Sequence, residues 1–345
     1  MSLRVRPALP DDDAAWNSFV DSHPQGSPFH LTAWRDCIRE TFGYQPRGLL
    51  VEDAGRIQGV LPLFLVSSPL SGRILLSSPF AVYGGALFSC EEARLALKEG
   101  LENLARAEKV QYVELRNAWD SQCLGYERVR RYVTFTHELA GSEEELLYTI
   151  PKKTRNLIRK AVKCGLASRH ASDLEPFFRI YFTNLRRLGT PAFPRDHFRR
   201  ILKAFAGSVY VLEVLHENRP VAVMLTFEYK GAIMPYYGAS DREFNHLAPN
   251  NFLYWDLMRS GLQRGLRVLD FGRSKNIPED GVFFFKSQWG SQMRELPYEI
   301  LLVRRRTLPH ISPANPRFSP FLAVWKRLPL WVTNRIGPLL VKWVP

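Results

Sequence analysis

Leu269-Asp270-Phe271-Gly272-Arg273-Ser274, followed by Phe284-Phe285-Lys286-Ser287-Gln288-Trp289-Gly290, is the stretch whose reading decides the fold. An apolar strand ends on a carboxylate, an arginine and a hydroxyl, and a lysine on a short aromatic run follows. Upstream, Ser208–Leu215 and Pro220–Tyr229 read as a hairpin around His216–Arg219, with β-branched and aromatic residues flanking a polar turn. A tyrosine–glycine corner (Tyr236-Tyr237-Gly238), a helix over roughly 250–264 and the Asp270 strand complete the unit.

The same order occurs earlier. Gly48–Glu52 and Ile57–Val66 form a hairpin, Val82-Tyr83-Gly84-Gly85 a corner, Glu91–Ala107 a helix, and Val113-Glu114-Leu115-Arg116 a strand ending on an acid and an arginine. Corner and acid lie 31 residues apart in the first copy (83 to 114) and 33 in the second (237 to 270). This agreement predicts an internal duplication of an α+β unit. The expected division is 1–140 for the first unit, 141–306 for the second and 307–345 for a tail.

The 345 residues suffice for two cores, and the formal charge is +13. Eight Lys or Arg and no acid lie between Arg304 and Pro345, and seven basic residues and no acid between Pro151 and Ser172. Such excess suits a polyanion, RNA, a phosphorylated substrate or an acidic membrane surface, or else a solvated helix face. Ser142 and Glu145 make a capping box. Pro151 and Gly165 bracket a helix with an apolar stripe of Leu157, Ile158, Ala161 and Val162 and a basic face that includes Lys152, Lys153, Arg155 and Arg159. The four cysteines show no paired or ligand spacing, and the histidines no metal pattern, so no metal is expected. Met1–Asp13 lacks the apolar core of a secretory signal, and no stretch is apolar for long enough to span a bilayer; the expectation is a cytoplasmic protein.

Asp270-Phe271-Gly272 has none of the surrounding motifs of a kinase. Position is more informative. Asp270 is the first choice for a general base or for orienting an attacking amine; the alternative is a structural pair with Arg273 or Lys286. Arg273 and Lys286 can hold a phosphate or carboxylate, and Ser274 adds a hydroxyl. Tyr237 can reach a leaving group or oxyanion, and Tyr83 is its counterpart in the first copy. Trp289 reads as substrate-binding or core. Asn250 sits where a helix N-cap belongs, and His246 precedes it as a candidate acid or base. The loop Ser240–Pro249 has no glycine and two acids, which disfavours a cradle for the pyrophosphate of coenzyme A. The tail presents Phe318, Phe321, Leu322, Trp325 and Leu328, then Val332, Ile336, Leu339, Leu340 and Trp343, on helical faces flanked by basic residues. It suits an anionic membrane surface, a partner or the protein's own body.

Phe29-His30-Leu31-Thr32-Ala33-Trp34, Ser78–Gly85, Arg155–Ala161, Asp270–Ser274 and Phe285–Gly290 together resemble the FemAB-like transferases, double-unit relatives of the GNAT acetyltransferase fold. Within them the chain looks most similar to the branch associated with exosortase/PEP-CTERM exopolysaccharide systems, which Trp325–Leu330 also resembles. The resemblance implies two tandem GNAT-like units, each a mixed, mostly antiparallel sheet flanked by helices. It implies transfer of an acyl or aminoacyl group to an amine of a cell-envelope or exopolysaccharide precursor, small or lipid-linked. The donor would be aminoacyl-tRNA or acyl-CoA, and the basic helix would face phosphate or RNA. A CoA-dependent N-acyltransferase and a non-catalytic scaffold docking through the tail remain alternatives. No heptad run matches the coiled-coil arm of some family members.

Overall fold

The computed structural model describes residues 3–309 and 319–343; Arg317 and Phe318 of the expected tail helix lie outside the described residues. The duplication appears as two unequal α+β halves. In the second, Val209–His216, Arg219–Tyr229 and Ala232–Ser240 form an antiparallel meander, with Ala167–His170 on its outer edge. The helix Pro249–Gln263 packs its apolar residues, Phe252 to Met258, against this sheet. Val268–Asp270 then pairs in parallel with Ala232–Ser240 over only two positions, Ala232 with Val268 and Ile233 with Leu269. Beyond them the ladder ends, and Asp270 stands where the strands part.

In the first half the expected strand 57–66 is two strands. Arg56–Leu61 stays with Leu49–Asp53, Arg4–Pro7 and Leu87–Phe88 in one sheet, whereas Phe64–Ser68 joins Gly72–Leu76 and Tyr112–Leu115 in another. Pro62 lies between them; it has no N–H to continue a ladder. The helix Glu91–Ala107 has the bounds read from the sequence.

The halves exchange strands across the 140/141 division. Tyr132–Glu138, which precedes it, pairs with Val268–Asp270, Ser274–Lys275 and Gln292–Glu295 of the second sheet. Tyr298–Leu302, from the far end of the second unit, returns between Tyr112–Leu115 and Glu127–Val129 of the first. The returning strand is fastened by Glu299, which is fully buried. Its carboxylate accepts from the backbone N–H of Leu124 (2.9 Å), Gly125 (2.8 Å) and Tyr126 (2.7 Å) and from Asn117 Nδ2 (2.9 Å). A buried charge is tolerated there because four donors replace its water.

The capping box forms as expected: Ser142 N–H donates to Glu145 and Glu145 N–H to Ser142 Oγ. The basic helix spans Lys152–Lys163 with Pro151 as its cap, and it buries Thr154, Ile158 and Ala161. Leu157 and Val162, assigned to the apolar stripe, are exposed instead. The buried row is spaced by four and three residues, so the helix is turned about one position from the predicted face.

The tail forms helices Ser319–Arg327 and Leu330–Val341. Both contact the helix Glu175–Leu188 of the second half. Arg186 Nη1 donates to the Leu328 carbonyl. Tyr44 and Ser68 of the first half donate to the carbonyls of Lys342 and Trp343. The tail is therefore a strap across both halves. Among the described residues no helix is long and apolar enough to cross a membrane.

Candidate active site

The two halves meet where the loop after Leu76 touches the end of the Asp270 strand. That loop is held in an unusual shape. Ser78 (φ 43°) and Phe80 (φ 60°) occupy the left-handed region, which costs non-glycine residues energy. Gly84 (φ 144°) passes so close to Ser78 that a Cβ would lie 2.4 Å from it. Several contacts impose this path. Ser78 Oγ donates to the Phe29 carbonyl at 2.7 Å, and Arg116 Nη1 donates to the carbonyl of Ala81 at 3.2 Å. His30 is buried, and burial pushes its imidazole down to about 3, so the ring is neutral. Its Nδ1 accepts from Ser27 N–H, which leaves the Nε2 proton for the Gly85 carbonyl at 3.1 Å.

The loop delivers Tyr83 to Asp270. Tyr83 Oη donates to Asp270 Oδ2 at 2.6 Å; Thr134 Oγ1, on the exchanged strand, donates to Oδ1 at 2.8 Å; the Gly272 N–H donates to Oδ1 at 2.8 Å. Three donors from three segments thus hold a carboxylate that is 8% exposed. Burial and the adjacent charge raise the Tyr83 hydroxyl well above its ordinary value, so it stays a donor.

Lys286 lies on the short helix Gly281–Ser287, capped by Asp280, whose side chain accepts from Val282 N–H. Its ammonium donates to the carbonyls of Gly272 (2.9 Å) and Arg273 (3.2 Å). Burial pushes it down to about 8, with the Asp270 charge opposing. Arg273 stacks over Tyr132, 4.5 Å from the ring centroid, and donates to Tyr298 Oη at 3.4 Å. Tyr298 in turn donates to the Val82 carbonyl, tying the Tyr83 loop to the same cluster. Ser274 Oγ is buried without a partner among the described residues.

Tyr83, Asp270, Arg273 and Lys286 are therefore brought together, and the side chains of the other expected residues make no hydrogen bond to them among the described residues. Tyr237 lies inside the strand Ala232–Ser240, not at a corner. It is packed among Tyr181, Phe193 and Phe198, with its hydroxyl 3.1 Å from His197 Nε2. Burial pushes His197 down to about 3. Trp289 is fully buried against Tyr254, Phe271 and Phe285. The helix cap is Ala248, with Pro249 first in the helix; Asn250 instead donates from Nδ2 to Ser240 Oγ. His246 is exposed and its Nδ1 meets the Glu243 carbonyl. Lys152, Lys153 and Arg159 are exposed on the basic helix, while Arg155 turns back over the Tyr148 ring. Thr134, Tyr132 and Tyr298 carry no motif signal as site residues, because each acts through a contact with a distant segment; His30 lies in the Phe29–Trp34 motif, but its part in holding the loop shows only in its contact with Gly85.

The residues present do not fit a coenzyme A pyrophosphate at the start of the helix Pro249–Gln263. Pro249 has no N–H to offer, and the preceding turn is occupied by its own charges: Arg219 meets Asp241 at 3.5 Å and Glu243 at 3.6 Å. Beside it, a cavity of about 120 Å³ is lined by Arg179, Asn184, Arg187, Ser240, Asp241 and Arg242, with Asp241 drawn towards Arg219. Neither Arg179 nor Arg242 is ion-paired among the described residues. No group of acids, histidines and cysteines suited to a metal occurs among the described residues.

Comparison with known proteins agrees with this architecture. Residues 148–287 match the acetyltransferase (GNAT) domain model. The crystal structure of FemX superposes with a TM-score of 0.70 at 17% identity, covering 95% of this chain and all of that one. The fold is that of a FemX-type tandem GNAT protein. L-PGS from Bacillus licheniformis shares it at a TM-score of 0.56 and 13% identity, covering 94% of this chain and 98% of that one. In sequence, the lipid II:glycine glycyltransferase of Staphylococcus aureus is 21% identical over 377 aligned positions, spanning 81% of this chain and 88% of the relative. The GNAT match falls on the second unit of this FemX-type fold, the one that carries Asp270 and Lys286.

Proposed function

We propose that this protein transfers an aminoacyl group from an ester donor to an amine on a lipid-linked cell-envelope precursor, at the seam around Lys286. The observation that carries the reading is a buried ammonium held by two carbonyls, beside a carboxylate whose oxygens are already engaged. An ammonium has three hydrogens, so Lys286 keeps one for an incoming oxygen.

The amine attacks the ester carbonyl, and negative charge develops on the carbonyl oxygen. Lys286 is the group we assign to stabilise it, in a low-dielectric setting where such a contact is worth most. The tetrahedral species collapses to the amide as the C–O bond breaks; the proton lost by the amine ends on the leaving hydroxyl. Asp270 acts in this scheme as a positioning residue, fixing Gly272 and the two carbonyls that aim Lys286. The exposed basic helix and the cavity of Arg179, Arg187 and Arg242 are assigned to phosphates of a charged-tRNA donor. The glycyltransferase relative supports aminoacyl transfer to a lipid-linked acceptor, and the sequence resemblance extends the acceptor class to amine-bearing exopolysaccharide intermediates. The occupied turn at 241–248 speaks against an acyl-CoA donor. In keeping with the acceptor, we place the protein at the cytoplasmic side of the inner membrane.

The test is amide formation, followed by mass spectrometry, with charged tRNA or acyl-CoA as donor and amine-bearing lipid-linked precursors as acceptor. Activity with charged tRNA and its loss in Lys286→Ala is expected. Full activity in Lys286→Ala, or activity with acyl-CoA alone, overturns the reading.

A further inference from the structure

The strap's last helix, Leu330–Val341, divides into two opposite faces. Thr333, Gly337 and Val341, spaced by four, are buried. Gly337 is seated on the backbone of Ala192, where a Cβ would lie 2.7 Å from the amide nitrogen. The other face carries Trp331 (70% exposed), Arg335 and Leu339 (57% exposed), also spaced by four, with Ile336 at its margin. The preceding helix adds Val324, 60% exposed, and the exposed Lys326 and Arg327. Trp331 is the most exposed large apolar side chain described. Soluble surfaces seldom show tryptophan with two aliphatics on one face, and here no acid lies anywhere from residue 304 to the end.

We propose that this outer face of the strap is a docking surface for an anionic phospholipid bilayer. The helix lies in the plane of the headgroups, with Trp331, Leu339 and Val324 entering the acyl boundary and Lys326, Arg327, Arg335 and Lys342 meeting lipid phosphates. Charge complementarity selects this occupant over a protein groove: the basic residues surround the apolar ones on an acid-free segment, the pattern of interfacial helices. The indole offers an apolar body with one polar N–H, which suits the headgroup boundary. Because the inner face is fixed to both halves of the protein, docking orients the whole molecule. The docking extends the proposed acceptor's lipid linkage, yet its test involves no transfer reaction.

The experiment is flotation of the full chain with vesicles of phosphatidylglycerol or of phosphatidylcholine, with soluble-acceptor turnover measured in parallel. Binding to phosphatidylglycerol that weakens with added salt is expected. The Trp331→Ala/Leu339→Ala variant is expected to partition at least about tenfold more weakly, by loss of two apolar insertions. Both residues are exposed, so an unchanged melting temperature verifies the fold of the variant. Absence of binding to phosphatidylglycerol at low salt, equal partitioning of the variant, or a dimer in sedimentation that the variant dissolves overturns the proposal. Loss of turnover with flotation intact removes the transfer reading and leaves the docking standing.

Discussion

Raising the pH from 7 to 9 should drive activity and stability in opposite directions, through one side chain. Burial lowers the Lys286 ammonium from 10.5 to about 8. With that value the charged form falls from about nine-tenths at pH 7 to about one-eleventh at pH 9, so a step needing the ammonium slows about tenfold. Stability moves the other way. The native state sheds its proton near pH 8 and the unfolded chain only near 10.5, so within that window the unfolded state binds more protons. Unfolding free energy therefore rises with pH, by up to about 3 kcal/mol across the window. Above pH 10 the buried tyrosines Tyr83 and Tyr237, kept protonated in the native state, reverse the trend. Lys230, also lowered by burial, adds a slope of the same sign. The informative quantity is therefore the difference in urea-unfolding free energy between wild type and Lys286→Met, measured from pH 7.5 to 9.5. That difference should grow with pH. Turnover at saturating acceptor is compared with Lys286→Arg, whose guanidinium stays charged and should lose no activity between pH 7 and 9 beyond what the substrates impose. A wild-type rate that rises through pH 8 relative to the arginine variant, or a stability difference flat in pH, refutes the assignment of a charged Lys286.

Two further perturbations address the frame around the site. Glu299→Ala leaves three backbone N–H groups without their acceptor in a buried site and removes one of the two oxygen acceptors of Asn117 Nδ2, which keeps the Pro297 carbonyl. The cost should be about 3–5 kcal/mol in urea unfolding, with faster hydrogen exchange in 112–115 and 124–129; a loss below about 1 kcal/mol contradicts the fastening role. Gly337→Ala places a methyl group against the Ala192 backbone and should destabilise the strap by about 1–3 kcal/mol, read as earlier proteolytic cleavage of the last helix at unchanged site activity. Wild-type protease resistance contradicts the close seating.

Much of the duplicated unit was legible because its signals are local. The hairpin 209–216/219–229, the helix 91–107 and the capping box at 142–145 each follow from a few adjacent residues, and each falls within a residue or two of its expected bounds. The strand exchange was not legible. Tyr132–Glu138 has the alternation of any half-buried strand, and nothing in its residues tells which sheet will pair with it. Trp289 and Tyr237 pass for site residues in the sequence because both residue types serve cores and sites alike; packing decides, and packing is non-local. Asp270 illustrates the limit most directly. Its place at a strand end could be read from Leu269 and Gly272, but two of its three donors come from 136 and 187 residues away. A carboxylate about to act as a base and one saturated by distant hydroxyls have the same sequence.

The asymmetry between the copies has a physical account in these contacts. In the second copy the strand-end acid is gripped by Tyr83, which belongs to the first. In the first copy the corresponding acid and arginine bind each other: Arg116 Nε meets Glu114 at 3.0 Å, and Arg116 is 4% exposed. With its guanidinium fixed in this way, Arg116 also donates to the Ala81 carbonyl and so helps hold the strained loop that presents Tyr83. Residues matched by duplication thus occupy different tiers of one arrangement. The first copy's pair shapes the loop, the loop supplies a donor to Asp270, and Asp270 fixes the Gly272 turn whose carbonyl, with that of Arg273, positions Lys286. A second unit expressed alone would lose Tyr83 and, with a cut at residue 140, Thr134 as well. It would keep one of the three donors on its central carboxylate. The two halves therefore make a single site, and the strand exchange that interlocks them is part of what builds it.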